Sequence, residues 1–128
     1  MLFDTTFVID LEREFIRNRP SNAVRFLEQH REAVPHISII TVYEFAEGFG
    51  SAQQQACFRA LSRYKILRLT KSIAWQAGQI SRNLREVGLV IGDNDILIAA
   101  TAIGGNLPLV TKNLQHFQRI AALRLLSY

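Results

Sequence analysis

Three short stretches place carboxylates in or against apolar sequence: Leu2-Phe3-Asp4-Thr5-Thr6, Ser38-Ile39-Ile40-Thr41-Val42-Tyr43-Glu44, and Gly92-Asp93-Asn94-Asp95 leading into Ile96-Leu97-Ile98-Ala99-Ala100. An unpaired charge in such surroundings is costly. Should Asp4, Glu44 and Asp95 converge in the fold, they repel one another. Two unit charges ~4 Å apart cost about 4 kcal/mol at an effective dielectric near 20. A hard divalent cation with oxygen ligands offsets that repulsion, and a bound cation brings hydrolytic chemistry with it. Asp4, Glu44 and Asp95 are therefore the candidate catalytic and metal-holding residues.

Each acid also has a plainer use. Asp4 suits the cap of a first helix, although Thr5 and Thr6 beside it supply hydroxyls for the same purpose. Glu44 shares a helical face with Thr41 three residues earlier, and it suits a solvent-facing position with Val42, Phe45 and Phe49 turned inward. Asp93 and Asp95 flank the start of a helix that is apolar nearly all round, and a helix start favours negative charge. Asp93 is the expected cap and Asp95 the expected ligand.

Short apolar runs alternate with helical periods and must position these groups. The pattern predicts strands at 1–5, 34–38, 65–69 (with alternating exposure) and 107–111, with an edge strand at 122–126. It predicts helices at 7–18, from Ser21 to about 32, from Thr41 to the glycines 48 and 50, at 51–64, from Thr70 or Ser72 to 87, and from 93 or 94 to 103. A short helical turn follows 111. Phe7, Leu11, Phe15 and Ile16 mark the expected inner face of the first helix; Pro20-Ser21-Asn22 breaks it, and Ser21 caps the next. Gly88 and Gly104-Gly105-Asn106 are stop signals. Strand and helix in alternation predict an α/β fold with a mainly parallel central sheet covered on both faces. Ligands of such sheets bind beyond the carboxyl ends of the strands, where Asp4, Thr41, Glu44, Thr111 and Asn113 all fall.

At 128 residues, with no linker-like run, repeat or low-complexity tract, the chain reads as a single domain spanning 1–128. Cys57 is the one cysteine, so no internal disulfide is possible; beside Ala56 and Phe58 it reads as a small core residue. No run approaches the ~18 apolar residues of a membrane span, and Asp4, Asp10, Glu12 and Glu14 argue against a signal peptide. The expected address is the cytosol, with no membrane association.

The formal net charge is +4, twelve of the fifteen basic residues are Arg, and residues 48–85 contain no Asp or Glu. Arg59, Arg63, Lys65, Arg68, Lys71, Arg82 and Arg85 lie in that stretch. Arg suits bidentate contact with phosphate or carboxylate. The stretch serves a nucleic-acid backbone, an acidic protein partner, or solubility alone; Arg59, Arg63, Arg82, Arg85 and Lys112 are the candidate nucleic-acid or partner contacts. His30, His36 and His116 lack metal-ligand spacing. Gly-x-Ser-x-Gly, Walker and Gly-x-Gly-x-x-Gly sequences are absent, which leaves serine hydrolases and nucleotide binders unsupported. Trp75 and Tyr64 suit base stacking or packing.

Taken in order, the motifs resemble the PIN-domain ribonucleases, and more closely the VapC-type toxins of bacterial and archaeal toxin–antitoxin pairs. The resemblance rests on the Asp4-Thr5-Thr6 opening, on Thr41-Val42-Tyr43-Glu44 with Gly48 after it, and on Ile91-Gly92-Asp93-Asn94-Asp95-Ile96-Leu97-Ile98-Ala99-Ala100-Thr101-Ala102. It closes with Leu109-Val110-Thr111-Lys112-Asn113 and Phe117, and so covers nearly the whole chain. It implies a three-layer α/β/α fold and an endoribonuclease dependent on Mg²⁺ or Mn²⁺. By position, Asp4, Glu44 and Asp95 match the acidic set that holds the metal. Thr6 matches a small polar residue two places after the first acid, and Thr111 with Asn113 the polar end of the last motif. The resemblance further implies a cognate antitoxin partner and a homodimer. Many relatives carry a fourth acid near the end of the last motif, where this chain has Asn113 and His116; Asp93 is the expected partial replacement. Two other readings of the residues stay open: a housekeeping nuclease of the same fold without an antitoxin, and a non-catalytic binding module whose carboxylates are caps.

Overall fold

The computed structural model describes residues 1–17 and 22–128. The expected end of the first helix at 18 and the cap at Ser21 lie outside the described residues.

Two-residue strands with both side chains buried decide the layering. In β1 (Leu2–Phe3) and β4 (Leu109–Val110) every side chain is shielded from water. Successive strand side chains point to opposite faces, so such strands need cover on both sides. Leu2 and Leu109 enter one core, whereas Phe3 and Val110 enter the other. With β2 (His36–Ser38), β3 (Lys65–Leu67) and β5 (Leu125–Leu126), they form a five-stranded sheet in the order β3-β2-β1-β4-β5, with every neighbouring pair parallel. This is the expected three-layer α/β/α fold.

One face is covered by α1 (Thr5–Arg17), α2 (Asn22–Gln29), α3 (Ile39–Ala46) and α4 (Gln54–Leu61). Its centre is aromatic: the Phe3 and Phe7 rings stack at 4.1 Å, and Phe26 meets both edge-on. The other face is covered by α5 (Lys71–Glu86), α6 (Asp93–Gly104) and α7 (Leu114–Phe117). Helices α5 and α6 pack closely at Gly104, where an added Cβ would sit 2.9 Å from Ile73 Cγ1.

Several boundaries shift for local reasons. Helix α3 starts before Thr41 because Ser38 is its cap, its Oγ accepting the Thr41 N–H at 3.0 Å. The run expected to be one helix over 51–64 splits into a 3₁₀ turn (Ser51–Gln53) and α4. Strand β3 ends at Leu67 and shows no clean alternation, since Lys65 and Ile66 are both exposed. Thr70 caps α5 by accepting the Ile73 N–H. That helix ends at Gly88, whose φ of +72° suits glycine; Leu89 N–H bonds back to Leu84 O and Gly88 N–H to Arg85 O. The inner stripe of α1 also departs from expectation. Phe7, Val8 and Leu11 are buried, but Phe15 and Ile16 lie out in solvent, 56% and 83% exposed. Tyr64, a stacking candidate by sequence, is buried in the core, whereas Trp75 is exposed.

Candidate active site

Asp4 directly follows β1, and Thr111 directly follows its parallel neighbour β4. Parallel pairing therefore puts the two side chains at the same end of the sheet. Asp4 is 4% exposed, and its two oxygens have separate partners. Oδ1 accepts the Phe7 N–H at 2.8 Å, capping α1, while Oδ2 accepts the Thr111 hydroxyl at 2.6 Å. The plainer reading of Asp4 as a cap is thus also true of it. Thr111 Oγ1 in turn accepts the Asn113 N–H at 2.9 Å. Asn113 contributes its backbone to this chain of bonds.

Burial raises the Asp4 carboxyl to about 6 from an ordinary 3.8. The Thr111 and Phe7 hydrogen bonds pull it back down, Asp95 pushes it up, and Lys112 pulls it down. Asp95 is therefore within Coulombic reach of Asp4; of the three acids expected to converge, this pair is the one so linked. Asp95 stands in the first turn of α6 with Asp93. Neither caps that helix: the cap position is Gly92, which has no side chain to offer, and this corrects the expected role of Asp93. The negative charges instead meet the positive end of the helix dipole.

Glu44 is tied to both flanking segments. Its Oε2 accepts the hydroxyl of Thr5, and its Oε1 accepts the Asn94 amide at 3.0 Å. The threonine that meets a carboxylate after Asp4 is therefore Thr5 and not Thr6, which is half-buried one residue on. Thr41 is fully buried and faces Ser38, so it supports the start of α3 and not the acids. Glu44, Gly92, Asp93, Asn94 and Asp95 line an open cleft of about 380 Å³. Asp93 is exposed on its wall.

Sequence reasoning noted His116 where many relatives carry an acid but did not foresee its partner: its Nδ1 stands 3.2 Å from Asp95 Oδ2. It also missed Thr5 and Asn94 as carboxylate partners, though both adjoin residues that were singled out. Asp10 and Tyr128 were missed as well: Asp10 Oδ2 accepts from Lys112 Nζ and from the Tyr128 hydroxyl. Among the basic candidates, Arg63 is engaged, paired with Glu12 at 3.0 Å and lying over the Phe15 ring. Arg82 pairs with Glu86 along α5. Arg59 and Arg85 have no ion pair among the described residues.

Among the described residues, no three His, Cys, Asp or Glu side chains stand together as a ready-made metal site. The fit to a cation rests on a smaller set, the like-charged Asp4 and Asp95. That set suits a hard divalent cation that keeps several of its waters and needs only one or two protein carboxylates. All the donors are hard oxygens, and a cation between Asp4 and Asp95 would relieve both the desolvation of Asp4 and its repulsion from Asp95.

The PIN domain family model matches residues 1–123. Ribonuclease VapC1 of Methanocaldococcus jannaschii is 34% identical over 129 residues, spanning 100% of this chain and 86% of that protein. Ribonuclease VapC1 of Haemophilus influenzae strain R2866 is 31% identical over 132 residues, spanning 96% of this chain and 93% of that protein. A chain in the crystal structure of VapBC2 from Rickettsia felis, bound to a DNA fragment from their promoter, superposes with a TM-score of 0.82 at 29% identity, over 99% of this chain and 97% of that one. Among the described residues no helix is long and apolar enough to cross a membrane.

Proposed function

The chain belongs to the PIN-domain family, and from that premise we propose that it is a Mg²⁺- or Mn²⁺-dependent endoribonuclease acting as the toxin of a toxin–antitoxin pair. The observation that carries the proposal is the buried Asp4 carboxylate, bonded to Thr111 and within Coulombic reach of Asp95, which lines an open acidic cleft.

Asp4 and Asp95 hold the cation, with Glu44 and Asp93 adding negative charge on the cleft wall. When bound, the metal supplies an activated water and neutralises charge that builds on the phosphoryl oxygens. Thr111 and the Phe7 N–H fix Asp4 so that its ionised form needs no reorganisation. Thr5 and Asn94 hold Glu44 at the cleft, where its carboxylate is placed to take a proton from the attacking water. Arg59 and Arg85, without an ion pair among the described residues, contact the RNA backbone or the antitoxin; Lys112 is held by Asp10 and lies within Coulombic reach of Asp4.

The partner follows from the neighbours, since the Rickettsia felis structure is of a VapBC assembly. The toxin reading carries with it a cognate antitoxin, a homodimer, an RNA substrate and a cytosolic site of action.

The test is cleavage of a labelled structured RNA by purified, antitoxin-free protein, with Mn²⁺ or Mg²⁺, with EDTA, and beside Asp4→Asn. Metal-dependent cutting lost in the variant supports the proposal. A folded protein that neither cuts RNA nor binds Mn²⁺ refutes it.

A further inference from the structure

Behind the acidic cleft lies a second cavity of about 260 Å³ between the end of α5 and the loop 87–92. Ser81, Arg85, Leu89, Val90 and Ile91 line it, and Asp93 lines both this cavity and the acidic cleft. The two spaces therefore share a wall. Val90 is 90% exposed, the most exposed large hydrophobic side chain among the described residues.

The loop is held in place. The Leu89 N–H bonds to Leu84 O at 2.8 Å and Gly88 takes the left-handed conformation that ends α5, so the loop leaves the helix at a fixed angle. Leu89 and Ile91 are half-buried against the core of α5 and α6, leaving Val90 outermost. Arg85, exposed and without an ion pair among the described residues, brings positive charge to a lining that joins the apolar Leu84, Leu89, Val90, Ile91 and Ile96 to the polar Ser81 and Asp93. The space falls below the ~300–1,000 Å³ of a drug-sized ligand site, and suits one planar ring system.

We propose that this cavity receives a nucleobase of the RNA, the one next to the scissile phosphate, with the ring against Leu89, Val90 and Ile91 and the adjoining phosphate against Arg85. The proposal rests on the ribonuclease reading above. It follows from three properties together: an apolar wall for a ring face, an unpaired guanidinium for a phosphate, and a wall in common with the carboxylate cleft. The chain of an RNA passing from one space to the other rounds Asp93. Apolar contact carries little sequence information, so the site senses the presence of a base more than its identity.

The experiment uses an RNA that the wild-type protein cuts at one mapped bond, and copies in which each nucleotide flanking the cut is made abasic in turn. These are cleaved with Mn²⁺ by the wild type, by Val90→Asn (neutral, on an exposed position that tolerates it) and by Val90→Leu. The expected result is that one abasic position beside the cut lowers kcat/KM roughly tenfold or more, within the range of a lost hydrophobic pocket contact. Val90→Asn cuts intact RNA more slowly and is nearly indifferent to that same position, while Val90→Leu discriminates like the wild type. Mn²⁺ affinity by calorimetry is unchanged in both variants. Equal cleavage of every abasic copy by the wild type overturns the base site and leaves the ribonuclease reading standing. Discrimination retained in Val90→Asn overturns it as well, and if that variant also escapes inhibition by a co-expressed antitoxin, the cavity belongs to the antitoxin. A folded wild type that neither cuts any RNA nor binds Mn²⁺ removes the ribonuclease reading, and the base site with it.

Discussion

Thr111 donates its hydroxyl to Oδ2 of Asp4 at 2.6 Å across 107 residues of sequence, joining the ends of two adjacent parallel strands at the buried carboxylate. A hydrogen bond to a charged group is worth about 1.5–3 kcal/mol, and this one favours the ionised form. Thr111→Val keeps the volume and removes the donor. It is expected to raise the Asp4 carboxyl further, to lower metal-dependent cleavage at neutral pH about tenfold, and to move the acid limb of the pH–rate profile upward. Thr111→Ser should restore the profile. A slower Thr111→Val enzyme with an unmoved profile would count against this role.

The Asp4 carboxyl, lifted by burial to about 6, binds its proton more tightly in the folded chain than in the unfolded one. The stability linked to that proton is therefore fully present below about pH 4 and is lost as the pH rises through about 6. Ionising Asp4 in metal-free protein costs the fold about 3 kcal/mol, from 3.8 to about 6 at ~1.4 kcal/mol each. Asp4→Asn has no such cost, so its melting temperature should overtake that of the wild type as the pH is raised from about 5 to about 8. Added Mg²⁺ or Mn²⁺ should stabilise the wild type above pH ~6 and leave Asp4→Asn nearly unmoved. A gap between the two proteins that is flat with pH would contradict the argument.

His116 Nδ1 stands 3.2 Å from Asp95 Oδ2, within reach to orient that carboxylate at the start of α6. Partners of metal-holding side chains typically contribute 10–100-fold in affinity. His116→Ala is expected to weaken Mn²⁺ binding about tenfold with little change in melting temperature, as measured by calorimetry and by thermal unfolding in EDTA. Equal affinity in the two proteins would make the contact incidental.

Asp93 lies on the cleft wall without capping α6. If its charge replaces part of the fourth acid that many relatives carry, Asp93→Asn lowers Mn²⁺ affinity or stoichiometry while α6 stays intact by circular dichroism. Unchanged affinity and stoichiometry would remove Asp93 from the metal site.

The layered fold was legible because its signals are local. Buried strands such as Leu109–Val110 and the all-round apolar α6 are written in consecutive residues. The acids were legible for the same reason, as charges set in apolar runs. What escaped depends on relations between distant segments. Whether Thr5 or Thr6 meets Glu44 is a matter of ~100° of helical phase, decided by where α3 packs against α1. His116 is 21 residues from Asp95, on a four-residue helix, and nothing local marks the pair. Phe15 and Ile16 continue the apolar period of α1 beyond the core, where periodicity cannot tell burial from exposure. Tyr64 showed the reverse, an amphipathic ring drawn inside against Phe3.

Because β1 is paired on one side by β2 and on the other by β4, one of its two neighbours is translated long after it. At ~5–20 residues per second, about 5–20 s separate the synthesis of Asp4 from that of Thr111. During that interval a growing chain holds its first carboxylate without the strand that completes its surroundings. Contacts of such long sequence separation also form slowly. A chain translated only as far as α6 therefore lacks the Thr111 hydroxyl and the β4 strand that hold the Asp4 carboxylate in place.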